Sequence, residues 1–161
     1  MSLWLGLLAL NQISRRVTGG SMRPALVPGD RIVVLPVRCH RLRRGDVIVV
    51  RDPRDTARET VKRVVGLPGE QVGMNGDRFE IAGVRYHEPY ARNPHARRAE
   101  HQSVLWSVPP GHVVVLGDNR DRSTDSRAYG PVSEELVVGR VAARLCPPGR
   151  APHCPPHPLV P

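Results

Sequence analysis

Short runs of β-branched residues, each closed by a Gly or Pro turn, leave this chain little besides strands to fold into. Residues 30–37 (DRIVVLPV) follow the Pro28-Gly29 turn, and 46–51 (DVIVVR) follow Gly45. Residues 60–65 (TVKRVV) end at Gly66-Leu67-Pro68-Gly69. Residues 78–86 hold one or two short strands interrupted at Gly83, 112–116 (HVVVL) follow Pro109-Pro110-Gly111, and 136–145 form a last apolar stretch. No segment between them keeps a helical period for three turns. With 17 Pro, 15 Gly and 4% aromatics, the core must be built from Val, Leu and Ile on many short elements. The expected fold is all-β, mainly antiparallel sheets closed or sandwiched into one domain.

At 161 residues a single domain is expected. Residues 1–16 form a short apolar N-terminal segment, from Leu3-Trp4-Leu5 to Arg15-Arg16. A spanning helix needs roughly 20 apolar residues, so this run is read as an interfacial helix, a remnant of a membrane anchor or an apolar element that packs on the domain, with Trp4 and the Arg pair favouring membrane contact. Residues 146–161 are too proline-rich for regular structure and are expected to be a disordered tail. Three cysteines make no disulfide framework: Cys146 and Cys154 could bridge a small Pro-rich loop, leaving Cys39 odd, and the set Cys146, His153, Cys154 and His157 matches no zinc spacing. A formal charge of +9 is compatible with an anionic membrane surface or nucleic acid. No RNA-binding aromatic pattern or helix-turn-helix accompanies it, so a nucleic-acid partner is not expected. The one tight basic cluster, Arg38, Arg41, Arg43 and Arg44, is read as a solvated face.

Of 24 Lys and Arg residues only Lys62 is lysine. Arginine stays protonated in proteins, whereas a buried lysine can lose its proton and act as a base. By strand alternation Lys62 shares a face with Val64, and Arg63 points the other way, free to pair with a carboxylate. Ser21 lies on a Gly-flanked turn, Gly19-Gly20-Ser21-Met22-Arg23-Pro24. A serine nucleophile with a neutral-lysine base is a complete hydrolytic pair. The glycines allow close approach of a substrate carbonyl and leave N–H groups for an oxyanion. A third segment, residues 117–132, is dense in short polar side chains. There Ser123 can orient the Lys62 amine, and Asp125 with Arg127 can fix the loop. Asp118, Asn119, Asp121 and Asp125 also look like oxygen ligands, but the interleaved arginines argue against a metal.

Taken together, these stretches resemble the bacterial type I signal peptidases, the Ser-Lys family (S26). The matching residues are Gly20-Ser21-Met22-Arg23-Pro24, Arg44-Gly45-Asp46-Val47 and Val61-Lys62-Arg63-Val64-Val65-Gly66-Leu67-Pro68-Gly69-Glu70. His87-Glu88-Pro89-Tyr90, Pro109-Pro110-Gly111-His112 and Gly117 to Val132 follow in order. The resemblance implies a signal-peptidase-like β fold over residues 17–145, with a cap insertion reduced to about 71–111. Only 46 residues separate Glu70 from Gly117. It implies Ser21 as nucleophile and Lys62 as general base, with Gly19, Gly20, Met22, Arg63, Asp118, Ser123, Asp125 and Arg127 in support. It implies no metal and no cofactor. The implied substrates are signal peptides of exported precursors, bound extended along a strand edge and cut after Ala-x-Ala. The implied place is the cytoplasmic membrane, with the catalytic domain on its extracytoplasmic face and anionic lipid nearby. Gly19 stands where some members carry a serine, Ala25 where Thr is common, and Arg122 where Asn is common.

Other readings compete. A dedicated maturation protease for one leader peptide, such as that of nickel superoxide dismutase, would share every active-site motif. A self-cleaving repressor of the related fold needs a DNA-binding domain ahead of the serine. A basic membrane-surface or nucleic-acid module without catalysis would tolerate Lys62→Arg and bind in a salt-dependent way.

Overall fold

The computed structural model describes residues 14–36, 42–76, 78–92 and 103–145. The strands in chain order are β1 (Ser14–Arg16), β2 (Arg31–Leu35), β3 (Val47–Asp52), β4 (Asp55–Gly66), β5 (Gln71–Asn75), β6 (Arg78–Ile81), β7 (Val84–Tyr86), β8 (Ser103–Ser107), β9 (His112–Leu116), β10 (Val132–Ser133) and β11 (Val137–Leu145). One short helix, α1 (Ser126–Tyr129), and two 3-10 turns at Arg120–Arg122 and Glu134–Leu136 complete the described elements. Seven strands form one sheet in the order β1-β2-β11-β3-β4-β9-β10, and four form a second in the order β7-β6-β5-β8. Every pairing between these strands is antiparallel. The all-β antiparallel expectation therefore holds.

β3 is a near-continuous apolar run because the large sheet is covered on both faces. Val47 and Val49 point into one core with Val17, Met22, Leu26, Ile32 and Val34. Ile48 and Val50 point into the other, with Leu42, Val64, Val113, Val115 and Val132. Each such side chain contributes about 1.5–3 kcal/mol on burial. A third core joins the two sheets. It packs Val65, Val114 and Leu116 against Val72, Met74, Phe79, Ile81 and Trp106. The small sheet is built wholly from residues inside the 71–111 segment.

Some elements differ from the sequence expectation. β4 starts at Asp55, five residues before the run that announces it: residues 55–59 are exposed and hold no apolar run, yet Asp55 and Glu59 pair with Asp52 and Arg51 of β3. β1 lies within the segment read as an apolar leader, and it pairs with β2 through Ser14↔Val33 and Arg16↔Arg31. Arg44 is no part of a solvated face. It is half-buried, bonds the Val65 carbonyl and Glu70, and lies 5.7 Å over the Tyr86 ring. The rest of the apolar N-terminal run, the C-terminal tail, Cys39, Cys146 and Cys154 lie outside the described residues. Among the described residues no helix is long and apolar enough to cross a membrane.

Candidate active site

β4 is a central strand, flanked by β3 and β9, and it carries Lys62 into the interior. The lysine is 3% exposed, opposite Ile48 and next along its face to Val64, both fully buried. Burial in this apolar setting pushes the amine below its ordinary value, and Arg58 and Arg127 push the same way. Asp125 and Asp52 pull against them without reversing the direction. Lys62 is thus neither on an edge strand nor in solvent.

Ser21 sits on the turn between β1 and β2. Met22 and Leu26 root that turn in the core at 1% exposure each, and the Leu26 amide closes on the Met22 carbonyl at 2.9 Å. Asn119 ties it to the far side of the sheet. Its backbone N–H donates to the Ser21 carbonyl at 2.8 Å and its side-chain amide to the Gly20 carbonyl at 3.1 Å. The amides of Gly19, Gly20 and Ser21 donate to no group among the described residues. Neither Gly19 nor Gly20 has positive φ, and a Cβ on Gly19 would meet nothing within 4 Å. Glycine there opens space and is not demanded by the backbone.

Ser21 and Lys62 line one cavity of about 270 Å3, together with Gly19, Gly20, Met22 and Val61. Their side chains are not hydrogen-bonded to each other, as is common before substrate arrives. Asp52 also lines the cavity, and the Arg54 guanidinium holds its carboxyl down at about 2.

Behind the cavity lies a buried charge network. Arg63, on the opposite face of β4 from Lys62, is fully buried and forks onto Asp118 at 2.8 and 2.7 Å. It also bonds the Gly45 carbonyl at 2.9 Å and stacks 4.0 Å over Tyr90. Such a bidentate, stacked site is specific to arginine. Arg120 pairs with Glu88 at 2.6 Å and bonds the Gly117 carbonyl at 2.9 Å, while the Tyr90 hydroxyl donates to Glu88 at 2.9 Å. Asp125 accepts from Arg127 at 2.8 and 2.9 Å and from the Gly117 amide at 2.9 Å. Burial alone would raise the Asp125 carboxyl, but these bonds outweigh it and hold it below the usual carboxylate range. Ser126 accepts from the Val115 amide at 2.9 Å, which clamps the loop to β9.

Ser123 is placed less simply. Its hydroxyl is buried and has no hydrogen-bond partner among the described residues. It makes no bond to Lys62 in this structure. It packs on Gly117, where an added Cβ would lie 2.2 Å from the Ser123 Oγ and 2.7 Å from the Ser21 carbonyl oxygen. The rival metal loop fails on chemistry, since Asp118 and Asp125 already receive guanidinium groups. No cluster of metal-ligating side chains occurs among the described residues. The sequence reading passed over Asn119 as a tether and Arg120 with Glu88 as a buried pair. Only the His87-Glu88-Pro89-Tyr90 match hinted at the last.

The signal peptidase, peptidase S26 family model matches residues 3–146. The chain belongs to that family. Signal peptidase I of Leptolyngbya laminosa is 34% identical over 155 residues, covering 91% of this chain and 74% of that protein. Signal peptidase IB of Staphylococcus aureus is 32% identical over 147 residues, covering 81% and 76%. The crystal structure of a signal peptidase I from Enterococcus faecalis matches 63% of this chain and 97% of its own, with a TM-score of 0.54 and 34% identity. Membership makes this chain a peptidase by family, and its mostly antiparallel β architecture is that of the solved relative.

Proposed function

We propose that the chain is a Ser-Lys endopeptidase that removes N-terminal signal peptides from exported precursors after small residues, Ala-x-Ala. One observation carries the reading: the only lysine of the chain is buried, deprotonation-prone and in the same cavity as Ser21. Lys62 takes the Ser21 hydroxyl proton as the oxygen attacks the scissile carbonyl, and returns it to the leaving amine. The acyl-Ser21 ester is then hydrolysed by water, with Lys62 again as base. The unengaged Ser21 N–H supports a role as oxyanion donor. Arg63 with Asp118, and Arg127 with Asp125, hold the two strands and the loop that frame the pair. The precursor lies at the cytoplasmic membrane with the catalytic domain on the extracytoplasmic face, and no cofactor takes part.

The test is cleavage of a purified exported precursor by wild type, Ser21→Ala and Lys62→Arg, with the new N-terminus sequenced. Wild type alone should cut after Ala-x-Ala. Lys62→Arg should lose ~10²–10⁴-fold in rate although charge is kept. The wild-type rate should rise with pH and level off above a midpoint below 10.5. Turnover retained by Lys62→Arg would sink the dyad.

A further inference from the structure

The cavity holding Ser21 and Lys62 is walled by five arginines, Arg15, Arg16, Arg54, Arg58 and Arg122, against two carboxylates. Both carboxylates are already taken. Glu59 pairs with Arg15 at 3.0 Å, and Asp52 with Arg54 at 2.8 Å. Arg16, Arg58 and Arg122 remain exposed, and none has an ion pair or side-chain hydrogen bond among the described residues. They come from three separate elements: β1, β4 and the 3-10 turn after β9. A scattered surface arginine contributes little to binding. Three around one concavity are different, because low-dielectric walls focus their field on whatever enters. The field of Arg58 already reaches the centre of the site, where it disfavours the protonated Lys62 amine.

We propose that this collar of exposed arginines selects substrates that carry Asp or Glu close to the scissile bond. The proposal rests on the reading that a peptide occupies the cavity. A guanidinium takes a carboxylate through two parallel N–H bonds, so each collar arginine offers an acidic side chain a directional partner. A peptide suits the collar better than a lipid surface does. The arginines line the same cavity of about 270 Å3 as the reacting groups, a space for side chains and an extended backbone. A bilayer face does not enter such a concavity.

The experiment measures kcat/KM of the full chain on a peptide with neutral flanks around a small-residue cleavage site. Copies with one Asp, or one Lys, at each flanking position are measured beside it. At least one Asp copy should exceed the neutral parent about fivefold, the reach of one exposed ion pair. The gain should fade near 1 M salt, where the Debye length is about 3 Å. Arg16→Gln, Arg58→Gln and Arg122→Gln combined should bring the Asp-to-neutral ratio close to one. Arg58→Glu should move the preference toward the Lys copy. A merely structural role would slow all peptides alike and leave the ratio untouched. Binding of the same peptides to Ser21→Ala, followed by fluorescence anisotropy, reads the collar without turnover. Preference for the Asp copies there, with no cleavage by wild type, would uphold the collar and sink the peptidase reading. Equal kcat/KM for all copies, or a ratio unchanged by the arginine variants, overturns the collar and leaves the peptidase standing. Arginine-dependent retention on phosphatidylglycerol-rich vesicles, without preference among peptides, overturns it as well.

Discussion

An amine 3% exposed between Ile48 and Val64 burdens the fold whenever it carries its proton. The folded amine titrates below its ordinary value, while in the unfolded chain it stays near 10.5. Below the folded value both states are protonated and the full penalty applies. Between the two values the unfolded chain binds more protons, so stability rises with pH. Methionine has a similar length and no charge to desolvate. Lys62→Met should therefore abolish turnover and raise Tm at neutral pH by a few degrees, since each kcal/mol is worth roughly 2–4 °C in a chain of this size. That gain should shrink as pH climbs toward 10.5. Thermal melts across pH check it; a lower Tm for the variant would mean that Lys62 is held by its neighbours at no net cost. Lys62 was legible because the chain writes every other cation as arginine. Arg63 was half legible: alternation put it opposite Lys62, but its carboxylate, Asp118, lies 55 residues away. The collar was not legible at all, since Arg16, Arg58 and Arg122 meet only through the fold.

Besides the Asn119 bonds, the loop after β9 packs closely on the Ser21 turn at Gly117. A Cβ there would sit 2.4 Å from the Ser123 Cβ and 2.7 Å from the Ser21 carbonyl oxygen, and the second is backbone that cannot swing aside. Gly117→Ala must then part the nucleophile turn from the loop that Asn119, Asp125 and Arg127 hold in place. A shift of about 1 Å at a reacting group costs on the order of 10²-fold in rate, and overpacking typically costs 1–3 kcal/mol. Single-turnover rates and a melt of Gly117→Ala should show both losses. A normal rate would mean that loop and turn move independently. At this scale the strands with dense apolar runs were the readable ones: β9 matches HVVVL residue for residue. β5 and β8 escaped notice because each faces solvent on one side and buries few side chains, Val72 and Met74 in β5 and Trp106 in β8. Their strand character is completed by pairing: β5 lies between β6 and β8, and β8 pairs with β5.

Across the whole molecule, the buried arginines are charge-balanced. Arg63 and Arg120 are buried against Asp118 and Glu88, and the Arg144 side chain is buried 3.0 Å from Asp30. These pairs cancel, so the formal excess of +9 is carried by groups outside them. The same interior bears on whether the small sheet is a separate unit. Its core is not its own: Val65, Val114 and Leu116 of the large sheet complete the cluster around Phe79 and Trp106. Arg44 reaches across as well, bonding the Val65 carbonyl while lying over Tyr86 of β7. Removing the Phe79 ring, 1% exposed, should cost about 3–5 kcal/mol and should be felt by both sheets. In a Trp4→Phe background, Trp106 fluorescence reports the small sheet and far-UV circular dichroism reports the whole chain. The two midpoints in urea should coincide before and after Phe79→Ala, both moving together to lower denaturant. A Trp106 transition that separates from the dichroism and runs ahead of it would make the small sheet an independent folding unit. The shared core would then be a docking surface between two units.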